Sequence, residues 1–375
     1  MEPRKGRQTP TTSVVLPYDE TLGEEAIGLY ERTGRTAQEW QILMVYDIMS
    51  INGEKLWTHS RFGYAVPRQN GKNEIVSIRE LRGIMHGERI LHTAHRTATS
   101  RSAWERLKRF LDDADIEHKD SGALGQERIR IKSTGGVIDF RTRSKSGGLG
   151  ESFDLLVIDE AQEYTTAQES ALKYVIAAAK NPQNLFCGTP PTTESAGTVF
   201  MHMRDDILRG GLEDTGWTEW SVDDQKGVHD IDAWYETNPS LGTFLTERTI
   251  RREIGDDVLD FNIQRLGYWI HYNLKSAISR AEWDELQCKA LPALRSRIFV
   301  GVKYSKTDTV AVSIAIRCED NRIFVESIDC RPLRAGTDWI VSFLLGIDCK
   351  AVAVDGASGQ DLLAEAMKDA HLHLP

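Results

Sequence analysis

PRQNGKNE, residues 67–74, follows the apolar run FGYAV and precedes a segment with helical spacing, and the fold turns on how it is read. A phosphate-binding loop wants Gly at the place of Val66 and Ser or Thr at the place of Asn73, whereas Gly71 and Lys72 stand where such a loop needs them. By itself the stretch reads equally well as a Gly-Lys turn at a helix start. DLLVIDE (154–160) shifts the balance, because an apolar run ending in Asp159 and Glu160 reads as a strand buried on both faces with acids at its end. Carboxylates there need a cation or hydrogen-bond donors, or they cap the next helix. NLFCGTP (184–190) and ERILHTAH (88–95) are further strands, and 74–86 and 167–179 read as helices between them. Strands alternating with helices imply an α/β fold around a mostly parallel sheet, with functional residues where the strands end.

Working outward, residues 1–20 are polar and Pro-containing and read as a loose arm, and Ala37–Met49 has helical spacing. RIRIKS and GVIDFRT (128–133, 136–142) form a hairpin turned at Gly135-Gly136. From 211 the pattern changes to helices rich in Trp and charge, as in a connecting subdomain. RIFVGVKYS, TVAVSIAIR and RIFVESIDC then predict three meandering strands from 297, followed by a helix (337–346), the strand CKAVAVDG (349–356) and a helix (359–370). That is the opening order of an RNase H-like fold. The expected domains are an arm (1–36), a sheet domain (37–210), a helical linker (211–295) and a final domain (296–375).

Composition bounds the class. With 375 residues, 40% hydrophobic and 27% charged, the chain is long enough for two cores. Its five cysteines are scattered with no CxxC, so neither a disulfide framework nor a zinc site is expected, and a reducing compartment fits. No stretch reaches the ~18 consecutive apolar residues of a membrane span, and no signal peptide is visible. A net charge of -10 argues against a basic coat for indiscriminate nucleic-acid binding. Residues 61–110 nevertheless carry eleven Lys/Arg against four Asp/Glu, with Arg96, Arg101, Arg106, Lys108 and Arg109 on one helix. These residues form either a solvated face or a track for DNA phosphates.

Taken in order, EWQ (39–41), PRQNGKNE, LLVIDEAQE (155–163), CGTPPT (187–192), TNPSLG (237–242) and FNIQRLGYW (261–269) resemble the motifs of the terminase large subunit of tailed bacteriophages. That family is the ATPase-nuclease that packages DNA into procapsids. The resemblance runs from about residue 37 to the end. It implies an additional-strand P-loop ATPase domain followed by a partial RNase H-like nuclease domain, C-terminally incomplete. It further implies Gln41 on adenine and Pro67, Arg68, Gln69, Asn70, Gly71, Lys72 and Asn73 as the phosphate loop. Asp159, with Asn73, would hold Mg²⁺; Glu160 would be the catalytic carboxylate, Arg68 would approach the γ-phosphate and Thr189 would sense hydrolysis. Plainer readings stand beside these. Gln41 could be the polar side of an amphipathic helix, Thr189 a turn residue before Pro190-Pro191, and Arg68 a partner of an acid or of DNA.

In the nuclease half the family implies Mg²⁺ or Mn²⁺ on a carboxylate cluster, for which Asp355 and Asp308 are the candidates. Lys303 stands where the first acid is expected, and an ammonium cannot ligate a metal. The implied partners are ATP, double-stranded phage DNA, a portal protein, a small terminase subunit and further copies in a ring on the procapsid, in the host bacterial cytoplasm with no membrane. Two other readings are a helicase-like ATPase acting on nucleic acid and a catalytically silent prophage remnant that binds DNA or portal.

Overall fold

The computed structural model describes residues 4–143, 151–210, 212–270, 286–288, 290–295, 297–305, 309–355 and 360–372. The chain divides into two compact units, Met1–His271 and Tyr272–Pro375. Among the described residues no helix is long and apolar enough to cross a membrane.

The first unit is built on a nine-stranded sheet. Its strands are β1 (Thr12–Val14), β4 (Arg61–Ala65), β5 (Arg89–Ala94), β6 (His118–Ser121), β7 (Glu127–Ile131), β8 (Val137–Thr142), β9 (Leu155–Ile158), β10 (Gln183–Gly188) and β11 (Thr215–Glu219). β2 (Glu20–Thr21) and β3 (Ser50–Ile51) form a separate ribbon. The sheet order is β1-β11-β4-β10-β9-β5-β8-β7-β6. From β11 to β8 every neighbouring pair is parallel, and antiparallel strands close both edges. β10 lies between β4 and β9 and is the additional strand that the sequence resemblance implies. The register aligns Ala65 with Gly188, Phe186 with Ile158, and Ile158 with Thr93, so the carboxyl ends of four strands meet along one edge.

The central strands are apolar throughout because helices cover both faces. α3 (Lys72–Met85) is buried nearly all round, with Ile75, Ile78, Leu81 and Ile84 in the core. Each such side chain contributes roughly 1.5–3 kcal/mol by leaving water. Its one buried arginine, Arg79, is matched by Glu88 at 2.8 Å and Gln183 at 2.8 Å. α1 (Gly23–Glu31), α2 (Glu39–Ile48) and α4 (Thr97–Asp113) add to the same core through Ala26, Trp40, Met44, Leu107 and Phe110.

Three expectations need correction. The segment read as a loose arm is strapped down: Gly6 N–H donates to Leu241 O at 2.7 Å, Arg7 N–H to Tyr235 O at 2.8 Å, and Thr12–Val14 pairs with β11. Glycine is required there, because a Cβ on Gly6 would fall 1.9 Å from Asn238 O. The helix expected over 167–179 stops at Leu172 in α5 (Thr166–Leu172), where Val175 instead offers its carbonyl to Phe153 N–H at 2.8 Å. β11, expected within a helical linker, is a strand of the main sheet between β1 and β4. α6 (Val199–Leu208) precedes it, and α7 (Ile231–Thr237), α8 (Glu247–Arg252) and α9 (Val258–Leu266) follow.

The loop between β4 and α3 is held from these later elements. Asn70 is fully buried; its amide donates to Pro67 O, Arg68 O and Asn238 Oδ1, and accepts from Ser240 N–H at 3.1 Å. Ser240 Oγ donates to Asn70 O at 2.7 Å. Arg68 N–H donates to Gln264 O at 3.0 Å, and Arg68 O accepts from Arg265 at 2.8 Å.

The second unit has the strand order β14-β13-β12-β15: β12 (Ile298–Tyr304), β13 (Thr309–Arg317) and β14 (Ile323–Pro332) form an antiparallel meander, and β15 (Cys349–Asp355) lies parallel to β12. The helices Asp338–Leu345 and Gln360–Asp369 supply Ile340, Leu344 and Leu363 to a core with Val300, Val302 and Val312. This is the meander-helix-strand-helix order expected from the sequence.

Removing the Asn70 amide strands Asn238 and Ser240 without their partners, at a local cost of about 1–3 kcal/mol. Asn70→Ala is therefore expected to speed hydrogen exchange of the Ser240 amide roughly 10- to 100-fold. Unchanged protection there would show that the loop does not need this bracket.

Candidate functional site

The β4–α3 loop has the backbone of an anion cradle. Gln69 and Gly71 both have positive φ (60° and 88°), and Gly71 is the N-cap of α3. Alternation of hands in successive residues turns N–H groups inward to form a nest, and a helix N-terminus adds its own donors. Glycine is favoured there by its φ, and a Cβ on Gly71 would also crowd Phe244 at 3.0 Å and Gln41 at 3.2 Å. The cradle is narrower than the expected 67–73. Pro67 has no N–H, the Arg68 N–H is bonded to Gln264 O, and the Asn70 side chain is spent inside the loop. Gln69 to Asn73 remain to face phosphate. Lys72 is half-buried in the first turn of α3, close enough to Cys187 to favour its thiolate.

Asp159 ends β9 and is 2% exposed. Its Oδ1 accepts from Glu160 N–H at 2.8 Å and from the Cys187 thiol at 3.2 Å, and its Oδ2 accepts from the Asn73 amide at 3.3 Å. Burial first, and then Asp159, push the Cys187 thiol well above its usual range, so it remains a donor. Burial likewise raises Tyr64, whose hydroxyl donates to Lys72 O at 2.8 Å and steadies the first turn of α3. The Asp159 carboxylate at the mouth of the cradle suits Mg²⁺, which takes hard oxygen ligands and is usually held by one or two carboxylates together with substrate phosphates. The Asn73 amide meets Asp159 Oδ2 with its N–H, a donor that cannot ligate a cation, so Asn73 would join the ion only with its amide turned over.

Glu160 sits beside it in the left-handed region (φ 51°), a conformation that costs a non-glycine residue roughly 1–2 kcal/mol. Its carboxylate is held by His95 N–H at 3.2 Å and the Thr99 hydroxyl at 3.1 Å. Arg143, 7% exposed, clamps the turn from behind by donating to Asp159 O at 2.5 Å, Thr93 O at 3.2 Å and Glu160 O at 3.0 Å. Burial lowers its pKa, while the Asp159 and Glu160 charges oppose that shift. His95, Thr99 and Arg143 were not singled out from the sequence. Nothing local marks them, since their role exists only once β5, α4 and β8 are laid beside β9.

A cleft of about 660 Å³ opens at this edge, and Arg68, Glu160 and Thr189 all line it, with Arg96 and Gln162. Thr189 N–H donates to Gln162 Oε1 at 3.3 Å, fixing the turn after β10. The three residues expected to be catalytic thus share one cavity. Gln41 lies on the other side of the loop, in a hollow with Tyr30, Gly71, Glu74 and Phe244. Its amide is already engaged, accepting from Gln38 N–H at 2.9 Å and donating to Gly71 O at 3.2 Å, which makes it a strut between α2 and the cradle. The basic face of α4 is largely neutralised: Arg101 pairs with Glu105, Arg106 with Glu74 and Lys108 with Asp120.

In the second unit Lys303 and Asp355 are register partners on β12 and β15, and their side chains form an ion pair. Asp308 lies outside the described residues. Among the described residues no group of three or more His, Cys, Asp or Glu could hold a metal ion. Among the described residues, an ammonium paired with Asp355 does not fit a metal centre, because the positive charge of Lys303 opposes a cation there.

Residues 218–343 match the family model of the terminase large subunit, endonuclease domain. No curated protein sequence matches the chain. Among solved structures, the large terminase of bacteriophage HK97 superposes with a TM-score of 0.73 at 16% identity, covering 95% of this chain and 84% of that one. A large terminase from a thermophilic bacteriophage is 13% identical over 86% of this chain and 78% of its own, with a TM-score of 0.41. The ATPase domain of a Thermus phage large terminase is 16% identical over 46% and 71%, with a TM-score of 0.36. The HK97 superposition carries the fold assignment. The chain has the fold of a phage large terminase, and its residues 218–343 are similar to the endonuclease domain of the terminase large subunit.

Proposed function

We propose that this chain is the ATP-hydrolysing motor subunit of a phage DNA-packaging machine. One observation supports this above the others: the Glu160 carboxylate, held by His95 and Thr99, faces the same cleft as Arg68 and Thr189, with only β10 between its strand and the one that leads to the cradle headed by Lys72. In this reading the N–H groups of Gln69 to Asn73 and the Lys72 ammonium bind the phosphates of ATP. Glu160 orients a water in line with the γ-phosphate and takes up its proton. Arg68 offsets charge developing on that phosphate, and Thr189 follows its departure from the end of β10. Asp159, with Asn73, would hold Mg²⁺, which would supply charge neutralisation to the phosphates. Phe244 beside Gly71 and Gln41 gives the base a face to rest on.

The elements that brace the cradle, 238–240 and 264–265, follow the sheet domain proposed for 37–210. Changes at the phosphates can therefore pass into the segment that leads to the second unit. The load moved is double-stranded DNA, gripped through its backbone because a motor must accept any sequence. A portal protein, a small terminase subunit and neighbouring copies in a ring complete the assembly, in the host bacterial cytoplasm. Arg96, on the cleft, is the member of the basic helix best placed for an anionic partner. In the second unit Lys303 occupies Asp355 and opposes a metal-dependent cutting step there.

Glu160→Gln is expected to lower ATP turnover by about 10²- to 10⁴-fold, the usual contribution of a positioned base, while a fluorescent ATP analogue still binds. Turnover that survives this change in the presence of DNA would remove Glu160 from the mechanism. At the other strand end, Lys303→Asp is expected to raise Mn²⁺ affinity at least tenfold, about 1.4 kcal/mol, read by electron paramagnetic resonance without nucleotide. Equal affinity in the two proteins would show that Lys303 is not what keeps a divalent ion out.

A further inference from the structure

Behind Asp159 lies a polar pair that the proposed chemistry does not use. His92, on β5, is 2% exposed, and its Nδ1 is 2.5 Å from Oε1 of Glu80, a fully buried residue of α3. The opposite ring nitrogen, Nε2, points at Asp159 Oδ2 from 3.8 Å. Phe140 packs on the ring at 5.2 Å. Among the described residues, His92 Nε2 and Glu80 Oε2 are both buried without a hydrogen-bond partner. Buried polar atoms left unmatched are costly, and the gap from Nε2 to Oδ2 closes to hydrogen-bond length with a movement of under about 1 Å.

We propose that His92, braced by Glu80, is a positioning residue that fixes the Asp159 carboxylate for metal-nucleotide binding. Through this contact α3, the helix headed by the cradle, and β9, the strand bearing Asp159, are tied together beneath the site. The inference rests on the reading of Asp159 as the metal-side acid of an ATP site. Asp159 Oδ1 is oriented by Glu160 N–H and Cys187, and Oδ2 by Asn73 from the solvent side. His92 supplies the contact to Oδ2 from the core.

Two substitutions in the full chain separate positioning from packing. In His92→Asn the amide reaches the place of Nδ1, keeps Glu80 company and leaves nothing at Nε2. In His92→Gln the amide reaches the place of Nε2. The readouts are the Kd of Mn²⁺ for the ATP-loaded protein by electron paramagnetic resonance, and the affinity for a fluorescent ATP analogue in EDTA. His92→Asn is expected to weaken Mn²⁺ by about 10- to 100-fold, as partners of metal ligands commonly do, with metal-free nucleotide affinity within about twofold of wild type. His92→Gln is expected to recover most of the loss. Equal Mn²⁺ affinity in all three proteins overturns the proposal, and so does a parallel fall in metal-free affinity, which would mean a packing role. A wild-type chain that binds no ATP with or without metal would instead remove the ATP reading on which the proposal stands.

Discussion

Much of the site depends on a buried asparagine. Asn70 lies inside the loop between β4 and α3 and bonds to two carbonyls of its own loop and to Asn238 and Ser240, far along the chain. A loop with positive φ at Gln69 and Gly71 gives up the regular ladders that would hold it, so its shape has to be imposed by partners elsewhere. Asn70 supplies them from beneath, and Gln264 and Arg265 take the Arg68 N–H and carbonyl from the side. The elements that brace the loop are thus drawn from the region after the main sheet, and the N-terminal strap through Gly6 and Arg7 fastens that same region.

The second constraint is the sheet edge. Parallel strands in register bring the ends of β4, β10, β9 and β5 together, and residues far apart in sequence become neighbours there. Glu160 is strained, and the strain persists because Arg143 holds both flanking carbonyls while His95 and Thr99 hold the carboxylate. Strain of this kind is kept where the surroundings over-determine it. The outcome is a carboxylate aimed into the cleft with little freedom to turn away.

The two units differ in how well their strand ends suit metal chemistry. At β9 a carboxylate oxygen faces the Asn73 amide at the β4–α3 loop; at β15 the acid faces an ammonium. Lys303 and Asp355 share a register position on adjacent parallel strands, so their side chains leave the sheet on the same face, and opposite charges so placed will pair.

The local patterns in the sequence were sufficient for the α/β class, for the meander of the second unit and for the run of acids at 159–160, because apolar period and turn residues act over a few positions. They also carried the loop at 67–74, once its departures at Val66 and Asn73 were set beside the later motifs. Arg143, His92, Glu80, His95 and Thr99 were not legible: each is an ordinary residue in its own segment, and only the stacking of α3, α4, β5, β8 and β9 gives it a role. The bracket on Asn70, the N-terminal strap and the inclusion of β11 in the main sheet belong to the same category. Hydrogen bonds between residues far apart in the chain have no periodicity to betray them, so the residue types that can carry the chemistry come from the sequence, whereas their aim and their partners are decided by tertiary structure.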